Sequence, residues 1–299
     1  MMWGEFAVDP DAIASSFERF VGLVDRFGVD QGRIISDFAA GGRWSRAVIG
    51  AAEAAGFGEV KMTSVVERLR ELRDEKGVMR LGRTYPNLPG GWIANAAAED
   101  AREPFQAVIT EAGGTGCAGD CRAVDMRVDR APCRVSAYAS VPRTAAGIVS
   151  VAAPLIQIAR SVHLIDPHIG FSERWLRPLS ALIGRCRPGT HVTVHLRDSD
   201  QASPTVMFVA DARNRLAPRL PPGVTVRMLR WKERPGGEPF HDRAVLTDMG
   251  GMTFGHGLDE GRAGASVRVQ RLDAGGWAAW LATTNPATSP YTLSDDITL

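Results

Sequence analysis

A chain of 299 residues with 44 % hydrophobic and 23 % charged side chains has the make-up of an ordinary globule, long enough for one large domain or two modest ones. The formal net charge of +1 excludes a strong whole-protein field for recruiting nucleic acid or anionic lipid. The halves differ: residues 1–140 carry 17 Lys and Arg against 20 Asp and Glu, residues 141–299 carry 18 against 14, and all six histidines fall in the second half.

The opening stretch MMWGEFAVDPD is acidic and has neither a cationic start nor an apolar run, so no signal peptide is expected. No stretch reaches the roughly 18–20 apolar residues of a membrane span. The expectation is a cytoplasmic protein. The bias to Arg over Lys and the abundance of Ala and Gly suggest a high-GC bacterial coding sequence.

In chain order, residues 14–27 place Phe17, Phe20, Val21, Leu23, Val24 and Phe27 at helical spacing, with Gly28 as a stop. Residues 44–56 are a second helix. Ser64 and Glu67 have capping-box spacing, which predicts a third helix beginning near Ser64, with a buried stripe of Val65, Val66, Leu69 and Leu72 and an end at Gly77. Two helices followed by faint alternation in VMRLGR fit either a helical packing domain or a winged helix, with Arg68, Arg70 and Arg73 on or near its recognition helix. Residues 82–95 are a turn-rich loop, and 105–110 read as a strand. Residues 125–141 alternate weakly through Val128, Val135 and Tyr138. Cys117, Cys121 and Cys133 cluster, which fits unrelated reduced thiols or, with a fourth ligand not evident, a zinc site. Residues 1–140 are expected to form a smaller, mainly helical or α+β N-terminal domain.

Residues 141–299 read as an α/β domain. A helix over 143–160 is kinked near Pro154. Strands follow at 161–166, 190–196 and 224–229. Between them lie a helix capped by Ser172 and another begun by Ser203-Pro204 and running through Leu216. The order predicts a largely parallel sheet with antiparallel additions and its site at the carboxyl edge of the parallel strands. That edge would carry Asp166 and His168 after one strand and Arg197 after the next. Trp277 and Trp280 would close the core or an interface, and the last ten residues would be mobile.

Residues 240–260, FHDRAVLTDMGGMTFGHGLDE, form the chemical centre of this half. A strand through Arg243, Val245 and Thr247, a turn at Asp248–Gly251 and a returning strand at 252–254 are predicted. If His241 and Arg243 both lie in the strand, their side chains leave one face. A histidine beside a forked cation suits a phosphate group.

The spacing His241-x-Arg243-x4-Asp248 resembles the His-x-Lys-x4-Asp motif of the phospholipase D superfamily, with Arg in place of Lys. The string HDR, GG and GxGLD is more similar to the phospholipase D-like C-terminal domain of the eukaryotic MIT-domain proteins and their bacterial relatives, which have Arg where this chain has His256. The resemblance covers roughly residues 140–272. It implies a phospholipase D-like mixed sheet flanked by helices. It implies catalytic roles for His241, Arg243 and Asp248, with His256 as a local substitute for the missing second histidine. Asp166, His168, Arg197 and Gly255 are the expected substrate-binding residues. No metal and no other cofactor is expected. Only one motif copy is present: His195-x-Arg197 has its first half, but position 202 is Ala. Cleavage would then need a two-fold homodimer that brings two His241 side chains together, or a local substitute such as His256. The resemblance implies a nucleic acid or another phosphodiester as substrate, and a protein partner within the same bacterial defence or conflict system. Its alternative is a catalytically inactive module that binds a protein partner or phospholipid.

Overall fold

The computed structural model describes residues 2–117, 119–123, 132–199 and 203–299. The chain divides into two compact units, Met1–Ser136 and Ala137–Leu299. Both are α/β: each holds a sheet flanked by helices.

The first unit has strands β1 (Gly4–Val8), β2 (Arg33–Ser36), β3 (Val78–Met79), β4 (Ala107–Thr110) and β5 (Asp120–Arg122) in the order β3-β2-β1-β4-β5. Every pairing is parallel, which is the order of a doubly wound sheet. Its helices are α1 (Pro10–Ile13), α2 (Phe17–Val24), α3 (Trp44–Ala54), α4 (Glu59–Asp74) and α5 (Gly91–Arg102). Successive residues of a strand face opposite sides. Phe6, Val8 and Ile109 pack with α1–α4, whereas Ala7 and Val108 pack with Ala96 of α5. The sheet is therefore covered on both faces, and each fully buried Phe, Ile or Leu contributes about 1.5–3 kcal/mol. The Trp44 indole N–H, fully buried, donates to the Val8 carbonyl at 2.6 Å.

This unit corrects several expectations. It is a parallel α/β unit, not a mainly helical or α+β domain. A winged helix needs an antiparallel hairpin after its helix, and β3 instead pairs parallel with β2. Helix α4 begins at Glu59, five residues before Ser64, with Gly58 in extended conformation as its N-cap. Val66 is exposed, while Val65, Leu69 and Leu72 are buried. Cys121 and Cys133 form a disulfide, so neither is a reduced thiol or a zinc ligand. Val128 lies outside the described residues.

The second unit is an eight-stranded mixed sheet: β6 (Tyr138–Pro142), β7 (Ser161–Ile165), β8 (His191–Arg197), β9 (Thr225–Lys232), β10 (Ala244–Thr247), β11 (Gly251–Phe254), β12 (Ser266–Arg271) and β13 (Thr292–Thr298). The order is β13-β9-β8-β7-β10-β11-β12-β6. Strands β7, β8 and β9 are parallel and every other pairing is antiparallel. Helices α6 (Ala145–Ile156, with Pro154 inside) and α7 (Glu173–Ile183) pack on each other. α8 (Thr205–Asp211) continues into a π-helical turn at Ala212–Leu216. α9 (Ala274–Thr284) brings Trp277, Trp280 and Leu281 onto Ile165, Leu229, Trp231 and Leu246.

Two further expectations change here. Pro204, not Ser203, is the N-cap residue of α8. The last ten residues are not a loose tail: β13 is hydrogen-bonded to β9 from Thr292 to Thr298.

Candidate functional site

Five segments of the second unit meet at one edge of its sheet. Strands β7, β8 and β9 end there. β10 runs antiparallel to β7, with Ala244 opposite Ile165, so β10 begins there. β11 returns to the same edge, where Phe254 N–H donates to the Arg243 carbonyl at 2.9 Å. The loops at this edge carry six of the eight residues singled out from the sequence, and the last residue of β8, Arg197, is the seventh.

Asp166 is the buried centre of this rim. One carboxylate oxygen accepts the backbone N–H of His168 at 2.9 Å and the other accepts that of Leu258 at 2.7 Å. Burial pushes its pKa up, opposed by those two amides and by the charges of Arg243 and His168. The expected binding residue thus serves as a loop clasp. Arg243 is one-quarter exposed, and its Nε lies 4.0 Å from Asp166. That Nε is buried and has no hydrogen-bond partner among the described residues.

His241 and Arg243 both precede β10, so strand alternation does not set their direction. His241 is exposed, and its Nδ1 is 2.7 Å from a carboxylate oxygen of Asp242. A carboxylate on Nδ1 fixes the tautomer with the proton on that nitrogen and leaves Nε2 as the basic, solvent-facing atom. Such a histidine can take a proton or attack an electrophile. His168 and His256 are exposed on the loops after β7 and β11. Arg197 is paired with Glu233 at 3.4 Å, and Glu233 also accepts the Phe240 N–H at 2.8 Å. Arg197 therefore braces the loop that carries His241.

One expectation fails on geometry. Asp248 is at the opposite end of β10, where its carboxylate accepts the backbone N–H groups of Arg160 and Ser161 at 2.9 and 3.2 Å. It fixes the start of β7 and takes no part in the rim. Gly255 lies exposed on the rim, in the loop after β11, where a Cβ would find its nearest protein neighbour at 3.6 Å.

The sequence reading missed Arg143, Arg174, Gly257 and Asp259. Asp259 is fully buried and forms ion pairs with Arg143 and Arg174. A Cβ on Gly257 would lie 2.5 Å from Asp259 Oδ1, 2.9 Å from Asp166 Oδ2 and 3.2 Å from an Arg143 nitrogen. Only glycine lets these groups meet. The GxGLD string was the available signal, for it contains both Gly257 and Asp259.

Behind the rim, under α9, the indole N–H of Trp231 donates to His195 Nδ1 at 3.1 Å, and His195 Nε2 lies 3.0 Å from His163 Nδ1. Indole nitrogen is a donor only, so His195 carries its proton on Nε2 and donates it to His163. Burial holds both imidazoles below the ordinary range. His195 is therefore a structural, neutral residue. A cavity of about 170 Å³ beside it is lined by Trp231, Phe240, Trp280 and Tyr291, with Glu238 and Asp242 on the approaching loop. Among the described residues, no group of three or more His, Cys, Asp and Glu side chains is arranged to hold a metal ion. No helix among them is long and apolar enough to cross a membrane.

No protein-family model matches the chain, and no curated protein matches it. Among solved structures, it is similar to TrmBL2, described as an archaeal chromatin protein with a novel mode of DNA binding. That likeness has 13 % identity and a TM-score of 0.29, covering 93 % of this chain and 100 % of the other. It is also similar to the polyphosphate kinase of Porphyromonas gingivalis, at 11 % identity and a TM-score of 0.26, covering 77 % of this chain. The chain spans 41 % of that kinase's length. Neither likeness is close enough to carry an argument about fold or activity.

Proposed function

We propose that the second unit is a phospholipase D-like domain that recognises a phosphodiester at the rim. The single observation that carries this is Arg243, whose buried Nε faces Asp166 at 4.0 Å while the side chain stays one-quarter exposed at the rim. A guanidinium held in place with donors to spare matches a phosphoryl oxygen pair. His241, with Asp242 on Nδ1, is the reacting group. Its Nε2 attacks phosphorus or takes the proton of the attacking water, and a second His241 from a two-fold dimer protonates the leaving oxygen. Nucleic acid is the substrate class.

The test is cleavage of DNA, RNA and a chromogenic phosphodiester, in the presence of a chelator, by wild type, His241→Ala, Arg243→Ala and Arg243→Lys. Turnover by a dimer that disappears in His241→Ala and partly survives in Arg243→Lys supports the reading. Absence of turnover in a verified dimer sinks the enzyme.

A second reading is a catalytically inactive module that binds a phosphorylated partner or phospholipid. What favours it is that His241 and Asp248 sit at opposite ends of β10, so the motif does not assemble as one set. Phosphate binding that depends on Arg243, without cleavage, is its signature.

A further inference from the structure

We infer that the first unit carries a separate nucleic-acid-binding groove that grips backbone phosphates without reading sequence. The groove, about 690 Å³, opens at the carboxyl edge of β2 and β3. Among the described residues its charged lining is Arg43, Arg46, Arg70, Arg73 and Arg80 against a single carboxylate, Asp37. All five arginines are exposed. The rest of the lining is aliphatic apart from Ser45.

Residues 1–136 carry 17 basic against 20 acidic side chains, so five cations around one carboxylate are a segregation of charge, not a sample of the whole. The carboxylate is already committed. Asp37 accepts the Trp44 N–H at 2.6 Å with one oxygen and meets Arg80 Nε at 3.3 Å with the other. Arg73 has Asp74 at 3.5 Å. No ion pair among the described residues engages Arg43, Arg46 or Arg70. Guanidinium groups crowded in this way repel one another unless an anion lies between them.

The arrangement selects the ligand. One phosphate is satisfied by one or two forks. Here the forks stand on three elements: the start of α3, the second half of α4 and the residue following β3. A run of phosphates engages all three. Among the described residues no aromatic side chain lines the groove, so they offer no platform for stacking bases. Binding through the backbone alone is independent of sequence and steeply dependent on salt. This groove does not depend on the phosphodiester reading of the second unit.

The experiment is fluorescence anisotropy of the full chain with a mixed-sequence oligonucleotide over a salt series. Unlabelled pyrophosphate and ATP serve as competitors. The variants are Arg46→Glu/Arg70→Glu, Lys61→Glu on the same helix outside the groove, and Arg243→Ala, each checked for wild-type circular dichroism. The inference predicts oligonucleotide binding that weakens with salt. In the double variant, binding is lost or the log–log slope falls by about 1.5, from two phosphate contacts. Lys61→Glu retains binding. Unchanged binding in the double variant overturns the inference, as does loss only in Arg243→Ala, which assigns the nucleic acid to the rim. Pyrophosphate or ATP binding as tightly as the oligonucleotide overturns the claim of a strand-binding groove.

Discussion

The buried carboxylate of Asp166 holds the backbone N–H of Leu258 at 2.7 Å, across 92 positions of sequence. With its second oxygen on His168 N–H, it joins the loop after β7 to the loop after β11. Both amides need an acceptor, and an amide side chain offers only one. Asp166→Asn therefore leaves a donor facing a donor. The expected loss is about 1–3 kcal/mol of unfolding free energy by urea titration. A change below a few tenths would show that the clasp does not hold the loops.

Gly257 and Gly255 separate packing from position in the motif. Gly257→Ala drives a methyl into Asp259 and Asp166, and should cost about 1–3 kcal/mol with loss of phosphate binding at the rim. Gly255→Ala meets nothing closer than 3.6 Å and should stay within about 0.5 kcal/mol of wild type. Thermal melts of the two proteins side by side decide it.

Asp9 follows β1 where the strand order reverses, and it caps α1 by accepting Asp11 N–H at 3.2 Å. Burial raises its pKa to about 6 from 3.8, with Asp11 and Glu111 adding to the rise. The folded state then binds the proton more tightly than the unfolded state, so ionisation of Asp9 costs stability as pH rises from about 4 through 6. Asn keeps the cap and removes the charge. Asp9→Asn should stabilise the protein by about 2–3 kcal/mol at pH 8, shrinking to nothing near pH 4. An equal effect at both values would rule out the titration as its source.

The His195–His163 pair titrates in the opposite sense. Burial depresses both below the ordinary 6.5, so the unfolded chain takes protons that the folded chain refuses. Their neutral packing is undisturbed above pH 6.5, and stability declines as pH falls below it toward the folded values. His195→Leu should flatten this acid limb in urea titrations between pH 7 and 5, at the cost of an unpaired Trp231 N–H. A limb as steep as that of wild type would place the acid sensitivity elsewhere.

Strands β7 to β11 were legible because alternation and turn residues mark them locally, and the GG turn after Asp248 fixes the β10–β11 hairpin. The first unit was not. GEFAV and RIIS are short and covered on both faces, so they show neither alternation nor length enough to announce a strand. Asp248 misled for a geometric reason. Four strand residues at about 3.4 Å each separate it from Arg243, so proximity in sequence became distance in space. Asp259 and Arg143 are the converse, for 116 positions separate two side chains that form one ion pair. No local pattern encodes such a pair.

The pairing of β13 with β9 bears on what the long strand β9 would otherwise offer to other chains. β9 is eight residues long, and without β13 its open amides would offer a template to any extended chain, including its own copies. The capping strand also carries the counter-charges: Asp295 pairs with the buried Arg230 and Asp296 with Arg227 at 2.5 Å. Trimming the chain at Tyr291 would thus strip a guanidinium of its carboxylate and expose a sticky edge together. The product should be recovered as oligomers or insoluble protein even though every residue of the rim is still present.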